Sequence, residues 1–274
     1  MFKKILQEVE KSTPLVHNIT NYVTVNDCAN IILACGGSPI MADDIEEVED
    51  ITSICNSLVI NMGTLNEQTV QSMIIAGRKA NELGHPVVLD PVGVGASTLR
   101  TNICHKLIKN IKFSVIRGNI SEIKTIFKGD GSTKGVDAAE VDKITENNLS
   151  EVIELSQKLS DLTDAVIVIT GEIDIVANKN KAYIIKNGHP MMTKITGSGC
   201  MLSSVIGTYC GANKELLLDS TAAAVCSMGY CGELAYQKMR ISESGTASFK
   251  THLIDFMSKM NHSILNEGIK IETR

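Results

Sequence analysis

Residues 87–97, VVLDPVGVGAS, run an apolar strand straight into a Pro–Gly loop, with Asp90 standing at the junction. No polar residue alternates within VVL, so the strand is buried on both faces, as in a parallel sheet covered by helices. The same grammar recurs along the chain. Further strand candidates are 14–18 (PLVHN), 37–41 (GSPIM), 57–61 (SLVIN), 113–117 (FSVIR) and 165–170 (AVIVIT). Amphipathic helix candidates separate them near 22–35, 44–55, 66–83, 97–110, 120–127 and 146–161. Strands alternating with helices predict an α/β fold, three layers deep, with a mostly parallel central sheet and helices on both faces. After residue 170 the pattern changes. DIVANKNKAYIIKNG reads as a β-hairpin turning at Asn178–Asn180, followed by three helices near 198–211, 215–239 and 246–260. The small residues of TAAAVCSMGYCGELA in the middle helix predict close helix packing. With no linker, repeat or low-complexity segment, residues 1–274 read as one domain.

Composition narrows the function. The 274 residues are 43% hydrophobic and 21% charged, which is enough for a sizeable core. A net charge of −5 without a long basic run disfavours nucleic-acid binding. No apolar run reaches the length of a membrane span. The opening MFKKILQEVEKS reads as an amphipathic helix rather than a secretory leader. Eight cysteines without a C-x-x-C pair read as free thiols of a reducing cytoplasm, and they form no grouping that would hold zinc.

In parallel sheets, chemistry gathers at the carboxyl ends of the strands. Here those ends carry VHNITN (16–21), Asp90, Arg117 with Asn119 and Glu122 just beyond it, and Thr170. A further stretch, KITGSGCMLSS (194–204), reads as a strand end, a glycine-rich turn and the first turn of a helix. Its backbone N–H groups and the positive helix end form an anion site with Cys200 at the mouth. The set fits phosphoryl transfer, which needs a divalent metal, cationic donors and an oriented nucleophile. Asp90 and Glu122 suit Mg²⁺, and the planar fork of Arg117 suits phosphate oxygens. Each residue also has a purely structural reading. Asp90 can end a strand before Pro91, Glu122 can form a capping box with Asn119, Arg117 can be a surface ion pair, and TGSG can simply cap a helix. Other phosphate and hydrolase motifs fail. KGDGSTKG (128–135) lacks Walker A spacing and reads as a surface loop, and neither G-x-G-x-x-G after a strand nor G-x-S-x-G occurs. Of six scattered histidines only His17 lies near the site, where a hydrogen-bonded structural role is expected.

In combination, PLVHNITNYV, GGSPIMA, NMGTL, VVLDPVGVGAS, IRGNISEI, KGVDA, VITGEIDIV and KITGSGCMLSS resemble the hydroxyethylthiazole kinase family of the ribokinase-like superfamily, in order from about residue 14 to residue 210. The resemblance implies a ribokinase-like fold without a separate lid domain, since the chain begins its first strand after one short helix. It implies transfer of the ATP γ-phosphate to the primary alcohol of 4-methyl-5-(2-hydroxyethyl)thiazole in thiamine salvage, with Mg²⁺, in a cytoplasmic homotrimer whose active sites lie between subunits. Carried over position by position, Arg117, Thr170 and Gly199 match ATP contacts. Met41 and Gly197 match thiazole contacts, and Asn21 and Val23 lie in the block lining the same pocket. Asp90 and Glu122 match the acids around Mg²⁺, and Cys200 takes the place of the catalytic base.

Sugar kinases of this fold usually have Asp where Cys200 stands. A thiol has an ordinary pKa of about 8.5, lowered by a helix N-terminus and raised by a neighbouring triphosphate. Cys200 is therefore expected to orient the alcohol and to act only weakly as a base. Removal of Arg117 is expected to weaken ATP use with the fold intact. The alternatives are a kinase of another small alcohol on the same fold, or a regulator that binds nucleotide or thiazole without turnover. VHNITN and GGSPIMA argue against the first, and the presence of Asp90, Glu122, Arg117 and Cys200 together argues against the second.

Overall fold

The computed structural model describes residues 2–128 and 144–274, so most of KGDGSTKG and all of KGVDA lie outside the described residues. The chain opens with α1 (Lys3–Ser12), β1 (Leu15–Ile19), α2 (Val25–Ala34), β2 (Ser38–Ile40), α3 (Val48–Ile54), β3 (Ser57–Asn61) and α4 (Glu67–Glu82). It continues through β4 (Val87–Asp90), α5 (Thr98–Asn110), β5 (Val115–Asn119), α6 (Ile120–Lys128), α7 (Leu149–Thr163) and β6 (Val166–Thr170). The hairpin strands β7 (Asp174–Asn178) and β8 (Lys181–Ile185) follow, then α8 (Ser198–Ala212), α9 (Leu217–Ile241), α10 (Thr246–Met257), α11 (His262–Gly268) and β9 (Ile271–Thr273).

One sheet takes the nine strands of the described residues in the order β2-β1-β3-β4-β5-β6-β7-β8-β9. The pairs from β2 to β6 are parallel, and β7, β8 and β9 join antiparallel at the far edge. The result is a mostly parallel α/β sheet with helices on both faces, as the alternation of apolar strands and helices predicts. Four elements differ from the sequence reading. The strand end read at the start of KITG is instead the close of a 3₁₀ turn, Pro190–Lys194, which Pro190 opens and which no strand partners. The strand expected at 113–117 runs from Val115 to Asn119, so Arg117 lies at its centre rather than its end. The helix α11 and the edge strand β9 were not anticipated. They are seven and three residues long, too short for a clear periodicity, and β9 exists because its backbone pairs with β8.

Alternate strand residues feed two cores. Val16, Val59, Val88, Val115 and Val168 join the core beneath α1, α2, α8, α9 and α10, while Leu58, Ile60, Leu89, Ile116, Ile167 and Ile169 join the core beneath α3 to α7. The small-residue helix α9 is buried continuously from Ser220 to Gly229, as expected for close packing against its neighbours.

The two-residue period of a strand then has a specific consequence. Asn18, Asn61, Asp90, Arg117 and Thr170 each stand two residues beyond a valine of the first core: Val16, Val59, Val88, Val115 and Val168. All five therefore rise on the face that α8 covers, on five adjacent parallel strands: Asn61, Asp90 and Thr170 at the carboxyl ends, Asn18 one residue short of the end and Arg117 two residues short.

Candidate active site

The chain reverses its direction of travel across the sheet between β1 and β3, since β2 lies outside β1 and every later strand lies beyond β3. A crevice opens at such a switch point, outside the strand carboxyl ends. It contains a cavity of about 240 Å³ bordered by Asn18 in β1, Thr20 and Tyr22 after it, Met41 and Asp43 after β2, and Thr64 after β3. A larger hollow of about 470 Å³ sits at the amino ends of β5 and β6, near Ser114 and Asp164. None of the candidate site residues borders it.

His17 explains why Met41 stands where it does. Buried in β1, its ring makes 2.9 Å hydrogen bonds to the Thr52 hydroxyl and to the Ala42 carbonyl, which ties down the loop carrying Met41. Burial lowers its pKa, which suits the structural role expected for it. Val23 and Tyr22 are 56% and 80% exposed, two apolar side chains in water at the edge of the crevice.

Helix α8 begins over this site. Its N-cap, Gly197, has φ +83°, a left-handed conformation that favours glycine, and a Cβ there would come within 2.7 Å of Thr24 Cγ2. One turn in, Cys200 is half-buried, whereas the other seven cysteines are buried. Its Sγ accepts hydrogen bonds from Asn21 Nδ2 at 3.4 Å and Asn61 Nδ2 at 3.3 Å. Burial and the nearby Asp90 carboxylate push the thiol pKa up, and hydrogen bonds from Thr24, Asn21 and Asn61 oppose that rise.

Asp90 has no solvent exposure. Its Oδ2 accepts from Asn61 Nδ2 at 2.8 Å and from the Ser203 hydroxyl at 2.9 Å. Its Oδ1 has no hydrogen-bond donor and faces Arg117 Nη1 at 3.5 Å. Burial raises the carboxyl's pKa, and the Arg117 charge and the hydrogen bonds pull it back. Arg117 is 14% exposed, so the pair is an interior one rather than a surface ion pair. Arg117 Nη2 donates to Thr170 Oγ1 at 2.8 Å, and its buried Nε has no acceptor. The guanidinium lies along the first turn of α8, against Gly199.

Glu122 is the acid of a capping box. Its Oε2 accepts from the Asn119 backbone at 2.8 Å while Asn119 Oδ1 accepts from the Glu122 backbone at 2.9 Å. Its Oε1 also holds the Gly93 N–H at 2.8 Å, binding the loop after Asp90 to α6, and burial raises its pKa. Among the described residues no three metal-ligating side chains converge. Two carboxylates are nevertheless what Mg²⁺ needs when water and phosphate fill the remaining positions. The donorless Oδ1 of Asp90 and the spare lone pairs of Glu122 fit such an ion.

The structure thus gathers Asn21, Asp90, Arg117, Thr170, Gly199 and Cys200 about the start of α8, with Met41 bordering the cavity; Val23 is exposed, and Tyr22 and Val25 border the cavity in its place. Two residues without an assigned role join them. Arg100 donates to the carbonyls of Met62 and Val92 at 2.6 and 2.7 Å and of Gly63 at 2.8 Å, clamping the loops after β3 and β4 together. Asn61, paired in register with Asp90, links Asp90 to Cys200. Its signal was present in SLVIN, a polar residue ending an apolar strand as Asp90 does.

The model of the hydroxyethylthiazole kinase family matches residues 6–263. The chain is 55% identical to a hydroxyethylthiazole kinase of Clostridium acetobutylicum, covering 100% of both chains. A solved hydroxyethylthiazole kinase from Pyrococcus horikoshii superposes with a TM-score of 0.87 at 31% identity, covering 99% of this chain and 98% of that one. A ribokinase-like superfamily protein from Enterococcus faecalis shares the fold, with a TM-score of 0.61 at 12% identity, covering 94% of this chain and 95% of that one. No helix among the described residues is long and apolar enough to cross a membrane.

Proposed function

The chain belongs to the hydroxyethylthiazole kinase family, and from that membership we propose how it moves the γ-phosphoryl group of ATP to the primary alcohol of 4-methyl-5-(2-hydroxyethyl)thiazole. The thiazole occupies the crevice between β1 and β3, against Met41, Val23, Asn21 and the backbone of Gly197, with its hydroxyl directed at Cys200. ATP lies across the first turn of α8, its phosphates meeting the N–H groups near Gly199, the guanidinium of Arg117 and the hydroxyl of Thr170. Mg²⁺, held by Asp90 and Glu122, neutralises phosphate charge when bound.

The observation that carries this reading is the meeting of three features within one helical turn. The N–H groups of the α8 terminus, the guanidinium of Arg117 packed against Gly199, and a sulfur held as an acceptor lie together at the start of α8. The first two bind an oxyanion. The third orients an alcohol. Phosphoryl transfer asks mostly for positioning and charge neutralisation, so a strong base is not required. Cys200, its pKa raised by burial, stands as a thiol that aligns the hydroxyl, and only its small thiolate fraction takes the alcohol proton, late in the transfer.

We read residues 1–274 as one catalytic domain, acting in the cytoplasm in thiamine salvage. The exposed Tyr22 and Val23 beside the cavity support a homotrimer in which a neighbouring subunit closes the crevice. The test is ADP release with Mg-ATP, with and without the thiazole, followed by mass detection of the phosphate ester. Thiazole-dependent ADP with a matching ester is the expected result. Folded protein that binds ATP without such turnover overturns the reading in favour of another alcohol or a sensor.

A further inference from the structure

Two side-chain amides meet at Cys200, and the backbone dictates which way each one points. Asn61 Oδ1 accepts the Gly63 N–H at 2.8 Å, and Asn21 Oδ1 accepts the Thr24 N–H at 3.1 Å. A backbone N–H can only donate, so each amide oxygen is fixed in place and each NH₂ must face the other way. Both NH₂ groups then point inward. One proton of Asn61 goes to Asp90 Oδ2 and the other to Cys200 Sγ. One proton of Asn21 goes to Asn61 Oδ1 and the other to Cys200 Sγ. The hydrogen-bonding capacity of the Asn61 amide is thereby full: two protons given, two lone pairs used. Asn61 is 2% exposed and ends β3 in register with Asp90, so it has little room to turn.

We propose that Asn61 is a positioning residue for the phosphoryl transfer: its backbone-locked amide holds the Cys200 sulfur as an acceptor from below and so reserves the sulfur's outward side for the substrate hydroxyl. The sulfur receives these two amide donors and lies beside the Thr24 hydroxyl, so its own proton, or the proton its thiolate takes up, lies on the remaining side. Asn61 also ties the sulfur to Asp90, a carboxylate on the phosphate side of the site. It touches neither thiazole nor nucleotide, and it acts through Cys200. The proposal rests on the role given to Cys200 above.

A double-mutant cycle tests it, because residues that act through one another have non-additive effects. Asn61→Ala, Cys200→Ala and the double variant are compared in single-turnover and steady-state assays, with thermal unfolding as the check on folding. Asn61→Ala is expected to lower kcat by about 3- to 10-fold, the range for net loss of one hydrogen bond to an uncharged group. The KM for thiazole should stay within about threefold, and the kcat loss should shrink to less than about twofold when Cys200 is already alanine. An equal loss in both backgrounds would show that Asn61 acts through Asp90 or the fold, and would overturn the proposal. So would an unchanged kcat in Asn61→Ala. A Cys200→Ala variant with wild-type kcat would instead remove the role of Cys200 itself, a separate failure. If Asn61→Ala does not fold, Asn61→Ser carries the same cycle, since its short hydroxyl cannot serve Asp90 and Cys200 at once.

Discussion

The guanidinium of Arg117 lies so close to Gly199 that a Cβ on that glycine would stand 2.6 Å from Nη1 and 2.9 Å from Nη2. Gly199 is therefore the contact that lets a cation from the middle of β5 reach the N-terminus of α8. Gly199→Ala is expected to displace the guanidinium, raise the KM for ATP by about tenfold and leave the KM for thiazole nearly unchanged. Steady-state kinetics with each substrate varied in turn checks this. Equal effects on both substrates would disconnect Gly199 from the nucleotide.

Arg117→Ala carries a cost that sequence reading did not foresee. Asp90 has no solvent exposure, and Arg117 is its cation at 3.5 Å. Removing one partner of a buried pair costs about 3–5 kcal/mol, because an uncompensated charge stays behind. The variant should lose both ATP use and stability at neutral pH. Adding Asp90→Asn should restore much of the stability and none of the activity. Chemical denaturation of the two variants decides it: no recovery in the double variant would mean that the Asp90 charge is not what destabilises.

Cys200→Asp keeps an acceptor where Asn21 and Asn61 donate. Turnover within about tenfold of wild type is expected if position and proton acceptance are what the site requires. The pH profiles should also diverge. Burial raises the wild-type thiol pKa, so any part of the rate that depends on thiolate climbs as pH rises into the alkaline range. An aspartate has an ordinary pKa of about 4, far below that of a thiol in the same surroundings, so its profile should be flatter in the alkaline range. Near-complete inactivity would instead assign the step to sulfur chemistry.

Asp174, at the start of β7, offers a test of stability against pH. Burial raises its pKa to about 7, opposed by a 2.9 Å hydrogen bond from the Gly171 N–H and by the charge of Arg117. A carboxyl whose folded pKa lies above its unfolded value binds more protons in the native state. Stability is thus lost as pH rises from about 4, the unfolded pKa, towards the raised folded value. Asp174→Asn retains an oxygen for Gly171 and removes the charge. It should unfold at a higher temperature than wild type at pH 8 and at nearly the same temperature near pH 4. The reverse ordering at pH 8 would mean that the carboxylate is stabilising where it stands.

Much of this architecture is legible in the chain. VVLD, SLVIN and AVIVIT read as strands covered on both faces, and the glycine turn before Cys200 reads as a helix start that receives anions, because both follow from local sterics and burial. The capping box of Asn119 and Glu122 was also readable, and the structure adds that Glu122 reaches Gly93 as well. Arg117 was misplaced by two residues along its strand, since the polar run RGN looks like a loop until β6 pairs with it through Asn119 and Thr170. The edge strand β9 carries almost no local signal and depends on β8 for its hydrogen bonds.

The sequence by itself determined which residues share a face. A valine followed two positions later by Asn18, Asn61, Asp90, Arg117 or Thr170 fixes, through the two-residue period of a strand, that each polar group rises on the valine side. What only the tertiary structure decided is who meets whom. The order β1-β3-β4-β5-β6 sets Asn61 beside Asp90 and brings Arg117 within reach of both Asp90 and Thr170. The backbone N–H groups of Gly63 and Thr24 then turn two amides towards one sulfur. Strand order and backbone hydrogen bonding are long-range properties, formed when distant segments pack, and no local pattern encodes them.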